Sequence, residues 1–277
     1  MIGVTGATGF IGSHLMGALG KTGFEIDLRN PRDEEVRDLI IKHNCKTIVH
    51  LANPTPSSFD GNSGSMREKG RNLANRLIEI IEPMQDIHII ALSSIRVYPN
   101  GLPFFTSNSP LGPIDDYGWG KVEMEEIFKS SKHTVTALRC SSVQGVGQDG
   151  LPRGIVGVFA KQLHENSILR IMGDGLATKD LIHVENLVSL LVKLASMGAH
   201  ETDMFLPVGG GSSLSVAELA ELFITGTDCK TQTIEPADFE LSGRVDNSEI
   251  ISHVDWTPTW SVVNMIEESL KATRGAM

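Results

Sequence analysis

Tyr117 and Lys121 stand four residues apart in DDYGWGK, the stretch from Asp115 to Lys121. On a helix that spacing puts both side chains on one face. A phenol with a pKa of about 10 is a poor base at neutral pH, but an ammonium group beside it favours the phenolate. The pair could then carry a proton on and off a hydroxyl. The same residues read equally well as the polar start of a surface helix, since this spacing arises by chance in many chains. What the rest of the sequence builds around the pair decides between the two.

A second stretch, TGATGFIG from Thr5 to Gly12, follows the apolar run MIGVT and opens a helical pattern. In that setting Gly6 permits a tight turn, Gly9 lets backbone approach a pyrophosphate, and Gly12 allows close helix–sheet packing. The helix start offers unpaired N–H groups to phosphate oxygens. A glycine-rich turn without a ligand is the alternative; placement at the first strand–helix junction favours nucleotide binding.

The elements that must carry these residues follow from apolar periodicity. MIGVT is a strand, and FIGSHLMGALG is a helix with Ile11, Leu15, Ala18 and Leu19 on one side. FEIDLR is a second strand. Asn30 as N-cap, Pro31 at the first helical position, and Asp33 and Glu34 in the first turn predict a helix whose inward face is Val36, Leu39 and Ile40. KTIVHLA is a strand, NPTPSSFDGNSGS a polar loop, MREKGRNLANRLIEII a helix and IHIIAL a strand. A helix from about Gly118 and the strand TVTALR close the first half. Such alternation predicts a parallel sheet covered by helices on both faces. After about Gly145 the elements shorten between Pro152, Gly154, Gly157, Gly173 and Gly175. MFLPVGG is a further strand, and Ser215 with Glu218 caps the helix after it.

With 277 residues the chain suits one large domain or two modest ones. A net charge of −10 argues against nucleic-acid or anionic-membrane partners, which need clustered cations. Cys45, Cys140 and Cys229 have no paired spacing, so a reducing interior is expected and metal ligation is not. The chain opens straight into MIGVTG without a charged leader, and VENLVSLLVKLASMGA is too short and too charged to span a bilayer. The expected location is the cytoplasm.

These motifs together resemble the extended short-chain dehydrogenase/reductase family, in its branch of nucleotide-sugar epimerases, dehydratases and ketoreductases. The resemblance is carried by the glycine loop, HLA (His50–Ala52), SSIRVY (Ser93–Tyr98), YGWGK, LRCSSVQGVG (Leu138–Gly147), GDGLATKDLIHVENL (Gly173–Leu187) and VDWTPTWSV (Val254–Val262). It implies a Rossmann-type doubly wound parallel sheet over residues 1–145. A smaller mixed α/β substrate lobe follows over 146–277, with a strand near 204–208 returning to the main sheet.

The resemblance further implies NAD as cofactor, with NADP left open, and a nucleotide sugar as substrate. Gly6, Gly9, Phe10, Ile11, Gly12, Leu51 and Ala52 would line the dinucleotide, and Lys121 would also hydrogen-bond its nicotinamide ribose. Tyr117 would remove a hydroxyl proton while hydride leaves the same carbon, and Ser94 would hold the substrate oxygen. Alone, Ser94 reads as a strand-end serine satisfied by backbone. Candidate substrate contacts are Arg96, Ser142, Lys179 and Arg244; Arg96, Lys179 and Arg244 read equally as surface cations. Pairing of the helices near Arg67–Ile81 and Gly118–Ser130 would make a homodimer.

The departures from the family pattern are informative. The related 4,6-dehydratases follow the serine or threonine with Asp-Glu, and the uronic-acid decarboxylases have Glu two residues on. Here Ile95 and Arg96 stand there, which disfavours both reactions and leaves epimerisation or one-way reduction of a keto sugar. Lys179 replaces a usual arginine, Ser142 a usual asparagine, Gln144 a common tyrosine, and Gly70 falls where relatives carry an asparagine. One strand fewer than usual is expected near residues 24–46. There Asp27 would favour NAD through the ribose 2′-hydroxyl and Arg29 a 2′-phosphate, unless the shortening makes both structural. The competing functions are an oxidoreductase acting on a non-nucleotide alcohol or ketone, and a non-catalytic cofactor sensor on the same fold.

Overall fold

The computed structural model describes residues 1–54, 63–235 and 241–275, with the side chains of 63–65 left undescribed. Most of the polar loop expected from Asn53 to Ser65 therefore lies outside the described residues. In chain order the elements are β1 (Ile2–Thr5), α1 (Phe10–Leu19), β2 (Gly23–Ile26), α2 (Asp33–Lys42), β3 (Thr47–His50), α3 (Ser63–Ile81) and β4 (His88–Ser94). There follow β5 (Phe104–Phe105), α4 (Asp116–Lys129), β6 (Thr134–Cys140), β7 (Ser142–Val146), β8 (Pro152–Arg153), α5 (Gly154–Asn166), β9 (Ile168–Met172) and β10 (Thr178–His183). The last are α6 (Val184–Met197), β11 (Met204–Val208), β12 (Ser213–Ser215), α7 (Val216–Ile224), β13 (Lys230–Ile234), β14 (Arg244–Val245), α8 (Ser248–Val254) and α9 (Val262–Gly275).

The chain divides into two compact units. The first takes in Met1–Tyr98, Ser109–Arg139 and Val188–Leu206; the second, Pro99–Asn108, Cys140–Leu187 and Pro207–Met277. The first is built on a six-stranded sheet in the order β11-β6-β4-β3-β1-β2. β1 runs parallel to both β2 and β3, and β3 parallel to β4. Every residue of β3 is buried, as a parallel strand covered on both faces requires. Ile26, Ile40, Ile48, Leu77, Ile80, Ile89 and Phe128 belong to one continuous core beneath the helices.

The shortening read in the sequence is present. Between α1 and β3 lie a 3-10 turn over Gly20–Thr22, β2 and α2, and β2 ends the sheet as its edge strand. Two local expectations need correction. The buried side of α1 is Gly12, Leu15 and Leu19; Ala18 is exposed and Ile11 only half-buried. Helix α2 begins at Asp33 with Arg32 as N-cap, not at Asn30. The Asn30 side-chain oxygen accepts from the Arg32 backbone N–H (3.1 Å), a local turn that competes with capping. The Leu28 and Asn30 carbonyls are bonded to the Arg76 guanidinium, which fixes the approach to the helix.

The second unit has a four-stranded sheet ordered β12-β10-β7-β8 and two-stranded pairs β13-β9 and β14-β5. Phe159, Leu169, Leu181, Leu219, Phe223 and Met265 form its core. The capping box expected at Ser215 and Glu218 is complete at the start of α7. Among the described residues no helix is long and apolar enough to cross a membrane.

Candidate active site

The glycine loop is held from below by Thr5, fully buried at the end of β1. Its hydroxyl oxygen accepts from the backbone N–H groups of Leu51 (3.2 Å) and Ala52 (3.1 Å) and hydrogen-bonds His50 Nδ1 (3.0 Å). Burial holds His50 near a pKa of about 3, and the charge of Lys121 pushes the same way. The ring is therefore neutral, and the end of β3 is stapled to the loop.

Gly6 adopts φ +68°, and a Cβ there would meet the Ala52 nitrogen at 2.8 Å and the Leu51 carbonyl carbon at 2.9 Å. A Cβ on Gly12 would stand 2.1 Å from the Gly6 carbonyl oxygen. Neither position can carry a side chain without moving backbone. Gly9 is exposed and caps α1 without any side-chain hydrogen bond, and no acidic residue occupies the first turn. An open, positively polarised helix end beside a side-chain-free loop fits a dinucleotide pyrophosphate. Phe10 and Ile11 begin the helix, both half-buried.

Ser94 ends β4, and its Oγ accepts from the Arg96 N–H (3.2 Å) to cap a single 3-10 turn over Ile95–Val97. Tyr117 lies in the first turn of α4, half-buried, and Lys121 follows one turn later, buried. Lys121 Nζ donates to the Leu92 carbonyl at 2.6 Å, which ties α4 to β4 two residues before Ser94. Its ammonium lies 5.6 Å from the Tyr117 ring centroid. Ser94, Tyr117 and Lys121 are thus all carried on β4 and the α4 packed against it.

Beneath them runs a buried polar network. Ser93 Oγ donates to Glu125 Oε1 (2.5 Å), Arg139 Nη2 donates to Glu125 Oε2 (2.8 Å), and Arg139 Nη1 donates to the Tyr98 hydroxyl (3.3 Å). It joins β4, α4 and β6, so the backbone around Ser94 is fixed from three elements. Asp115 caps α4 by accepting from the Gly118 N–H (2.7 Å) and pairs through its other oxygen with Arg96. Asp115, Gly118, Glu125 and Arg139 are the supporting residues that sequence reading missed. The only sequence signal was Asp three residues before Gly118 at a helix start.

Asp27 and Arg29 follow β2 and are bound to each other. Arg29 Nε donates to Asp27 Oδ1 (2.8 Å) and Nη2 to Oδ2 (3.3 Å). The side-chain hydrogen bond from Arg29 holds the Asp27 carboxyl below the ordinary carboxylate range. The carboxylate that could read a ribose and the guanidinium that could read a phosphate occupy each other.

The remaining candidates belong to the second unit. Ser142 is exposed at the start of β7, where Gln144 Nε2 donates to its hydroxyl (2.8 Å) and carbonyl (2.9 Å). Gln144 Oε1 accepts from Val156 N–H (3.0 Å), so the residue standing in a tyrosine's usual place ties β7 to α5. Lys179 Nζ donates to the Leu241 carbonyl (2.9 Å). Arg244 is exposed on β14. A cleft of about 730 Å³ in this unit, lined by Phe104, Gly211, Asp246, Asn247 and Trp260 among others, includes none of Ser142, Lys179 and Arg244.

Comparison with known proteins adds the following. The family model described as "NAD dependent epimerase/dehydratase family" matches residues 2–205. The dTDP-4-dehydro-6-deoxyglucose reductase of Escherichia coli is 25% identical over 255 residues, covering 88% of this chain and 79% of that protein. A UDP-glucuronic acid 4-epimerase from Bacillus cereus, solved with UDP-glucuronic acid and NAD, superposes with a TM-score of 0.86 at 19% identity, over 100% of this chain and 99% of that one. TunA, an NAD-dependent NDP-hexosamine 5,6-dehydratase, superposes with a TM-score of 0.83 at 22% identity, over 99% and 97%. At these identities the structural likeness is one of fold. The sequence relative is a reductase and the two structures are an epimerase and a dehydratase, so the likeness does not separate their reactions.

Proposed function

The chain belongs to the NAD dependent epimerase/dehydratase family, and we propose that it interconverts carbinol and ketone on a nucleotide sugar, as an NAD(P)-dependent epimerase or keto-sugar reductase. One observation carries this reading: Tyr117 and the pinned Lys121 stand on α4 against the strand that ends in Ser94. The bound dinucleotide would supply the acceptor and donor of hydride. Gly6, Gly9, Phe10, Ile11, Gly12, Leu51 and Ala52 would hold it, with Lys121 at its ribose. Tyr117 takes the carbinol proton and returns it to the ketone oxygen, while Ser94 orients that oxygen.

The absence of a carboxylate at positions 95 and 96 supports alcohol–ketone chemistry over loss of water. The nucleotide-sugar class is drawn from the relatives, and Ser142, Lys179 and Arg244 remain its candidate contacts. Lys179 bound to the Leu241 carbonyl favours a second reading, a non-nucleotide alcohol or ketone that needs no diphosphate site. We assign NAD as the cofactor, since a ribose 2′-hydroxyl can bond Asp27 without parting it from Arg29 while a 2′-phosphate must take Arg29 away, and homodimerisation through α3 and α4. The test is a panel of UDP- and dTDP-hexoses and their 4-keto forms, offered with NAD or NADP. New epimers without net cofactor use mark an epimerase, and stoichiometric oxidation of reduced cofactor marks a reductase. A deoxy-keto product formed by loss of water would overturn the reading.

A further inference from the structure

Two cations face the Tyr117 ring. The Lys121 ammonium is 5.6 Å from its centroid and the Arg96 guanidinium carbon 5.5 Å. The lysine comes from the same helix one turn on; the arginine comes from the turn that Ser94 caps. Arg96 is fixed there: its backbone N–H donates to Ser94 Oγ (3.2 Å) and its guanidinium pairs with Asp115. Asp115 in turn caps the helix that carries Tyr117. Arg96 also supplies the carbonyl against which Gly118 packs. The residue standing in place of a relative's catalytic carboxylate is therefore wired to the phenol on the face of the ring.

We propose that Arg96 is a positioning residue for Tyr117: its guanidinium, anchored by Asp115, stabilises the phenolate together with Lys121. This rests on the acid–base role given to Tyr117 above. Among the described residues of the first unit, Arg96 from the β4 turn and Lys121 on α4 lie at the ring, with Asp116 next to Tyr117 in the first turn of α4 and Asp115 at its cap. From α3, Arg67 reaches toward the same helix but binds Glu123 (2.5 Å) and lies over Trp119 (5.7 Å). The Asp115 charge opposes the effect, yet its two oxygens are bonded to Arg96 and the Gly118 N–H. Arg96 is two-thirds buried by side chain, so water screens its field on the phenol only in part. Burial pulls its own pKa below the ordinary arginine value, and the negative phenolate acts in the opposite sense, the reciprocal of the coupling proposed.

The chain has 2 tyrosines, which makes the test direct. Tyr98 is fully buried with its hydroxyl bonded to Arg139, and the Tyr117→Phe variant identifies which step of the titration belongs to Tyr117. Ultraviolet difference titration is run on wild type, Tyr117→Phe, Arg96→Gln, Arg96→Met and Arg96→Lys, with circular dichroism at each pH to confirm folding. Wild type should show a first step below a pH of about 10 that Tyr117→Phe lacks. Arg96→Gln and Arg96→Met should move it up by about one pH unit and Arg96→Lys by less. A step within about 0.3 units of wild type in whichever neutral variant folds overturns the proposal. A shifted phenol in a chain that turns over no sugar nucleotide would instead sink the substrate reading and leave this one standing.

Discussion

A Cβ built on Gly118 would stand 2.1 Å from the carbonyl oxygen of Arg96 and 2.8 Å from the Pro113 Cβ. The first turn of α4 is therefore pressed onto the turn that follows Ser94, at a distance only glycine allows. Since the obstacle is backbone, no rotamer relieves it. Gly118→Ala should push the helix start away, cost about 1–3 kcal/mol of stability, and lower kcat far more than it weakens cofactor binding. Urea denaturation and initial rates check both parts. A variant with wild-type kcat would show that the close approach is not needed for chemistry.

Tyr117→Phe removes the proposed acid–base group and keeps the ring under Arg96 and Lys121. Turnover should fall by at least about a thousandfold, with cofactor affinity within about threefold of wild type. Calorimetric titration with NAD alongside the rate assay separates the two. Substantial residual turnover would move the proton-transfer role to another group.

The buried Glu125–Arg139 pair makes a different prediction. Both side chains are almost fully buried, and each satisfies the other's charge. Arg139→Met leaves a carboxylate unpaired in the core and should destabilise the first unit by about 3–5 kcal/mol. Adding Glu125→Leu should recover much of that loss, at the cost of the Ser93 contact near Ser94. Denaturant midpoints of the single and double variants settle it, and equal stability of the two would contradict the pairing argument.

How much of this could be seen in the sequence depends on how local each cause is. The glycine loop, the order of strands and helices, the short passage between α1 and β3, and the Ser215 capping box all follow from neighbouring residues. The start of α2 was misread because Asn30 and Pro31 look like a cap while Asn30 actually turns back on Arg32. The roles of Gly118, Asp115 and Gln144 were invisible for another reason. Gly118 has meaning only against Arg96, Asp115 only with Arg96 in reach, and Gln144 only across to Val156, 12 residues on.

Acid should unfold the protein through its buried histidines. Burial, assisted by Lys121, lowers His50 to a pKa of about 3, and burial lowers His88 to about 4 with the neighbouring His200 adding to it. In the unfolded chain both should titrate at about 6.5. Above that pH neither form binds the proton and the groups are neutral in their effect. Between about 6.5 and 4 the unfolded chain takes up protons that the folded chain refuses, so stability falls as pH falls, by up to about 1.4 kcal/mol per pH unit for each histidine. His88→Gln, which can still reach Thr136, should flatten the decline by one histidine's share. Urea unfolding at pH steps through that range measures it; an unchanged slope would show that His88 does not carry the proton linkage.

The last prediction concerns Asp27 and Arg29, which hold each other at 2.8 Å just beyond the edge strand β2. A cofactor with a 2′-hydroxyl can add a hydrogen bond to the Asp27 carboxylate without separating the pair. A 2′-phosphate must take Arg29 away from Asp27 and then face an unpaired carboxylate. Asp27→Ala removes the acceptor and releases the guanidinium, so both effects act in one direction. NAD should weaken by about tenfold, the loss of a hydrogen bond to a charged group, while NADP tightens. Arg29→Ala should do the reverse and widen the preference for NAD. Dissociation constants of both cofactors for the three proteins test this, and a preference that fails to move with Asp27→Ala would place ribose recognition elsewhere in the first unit.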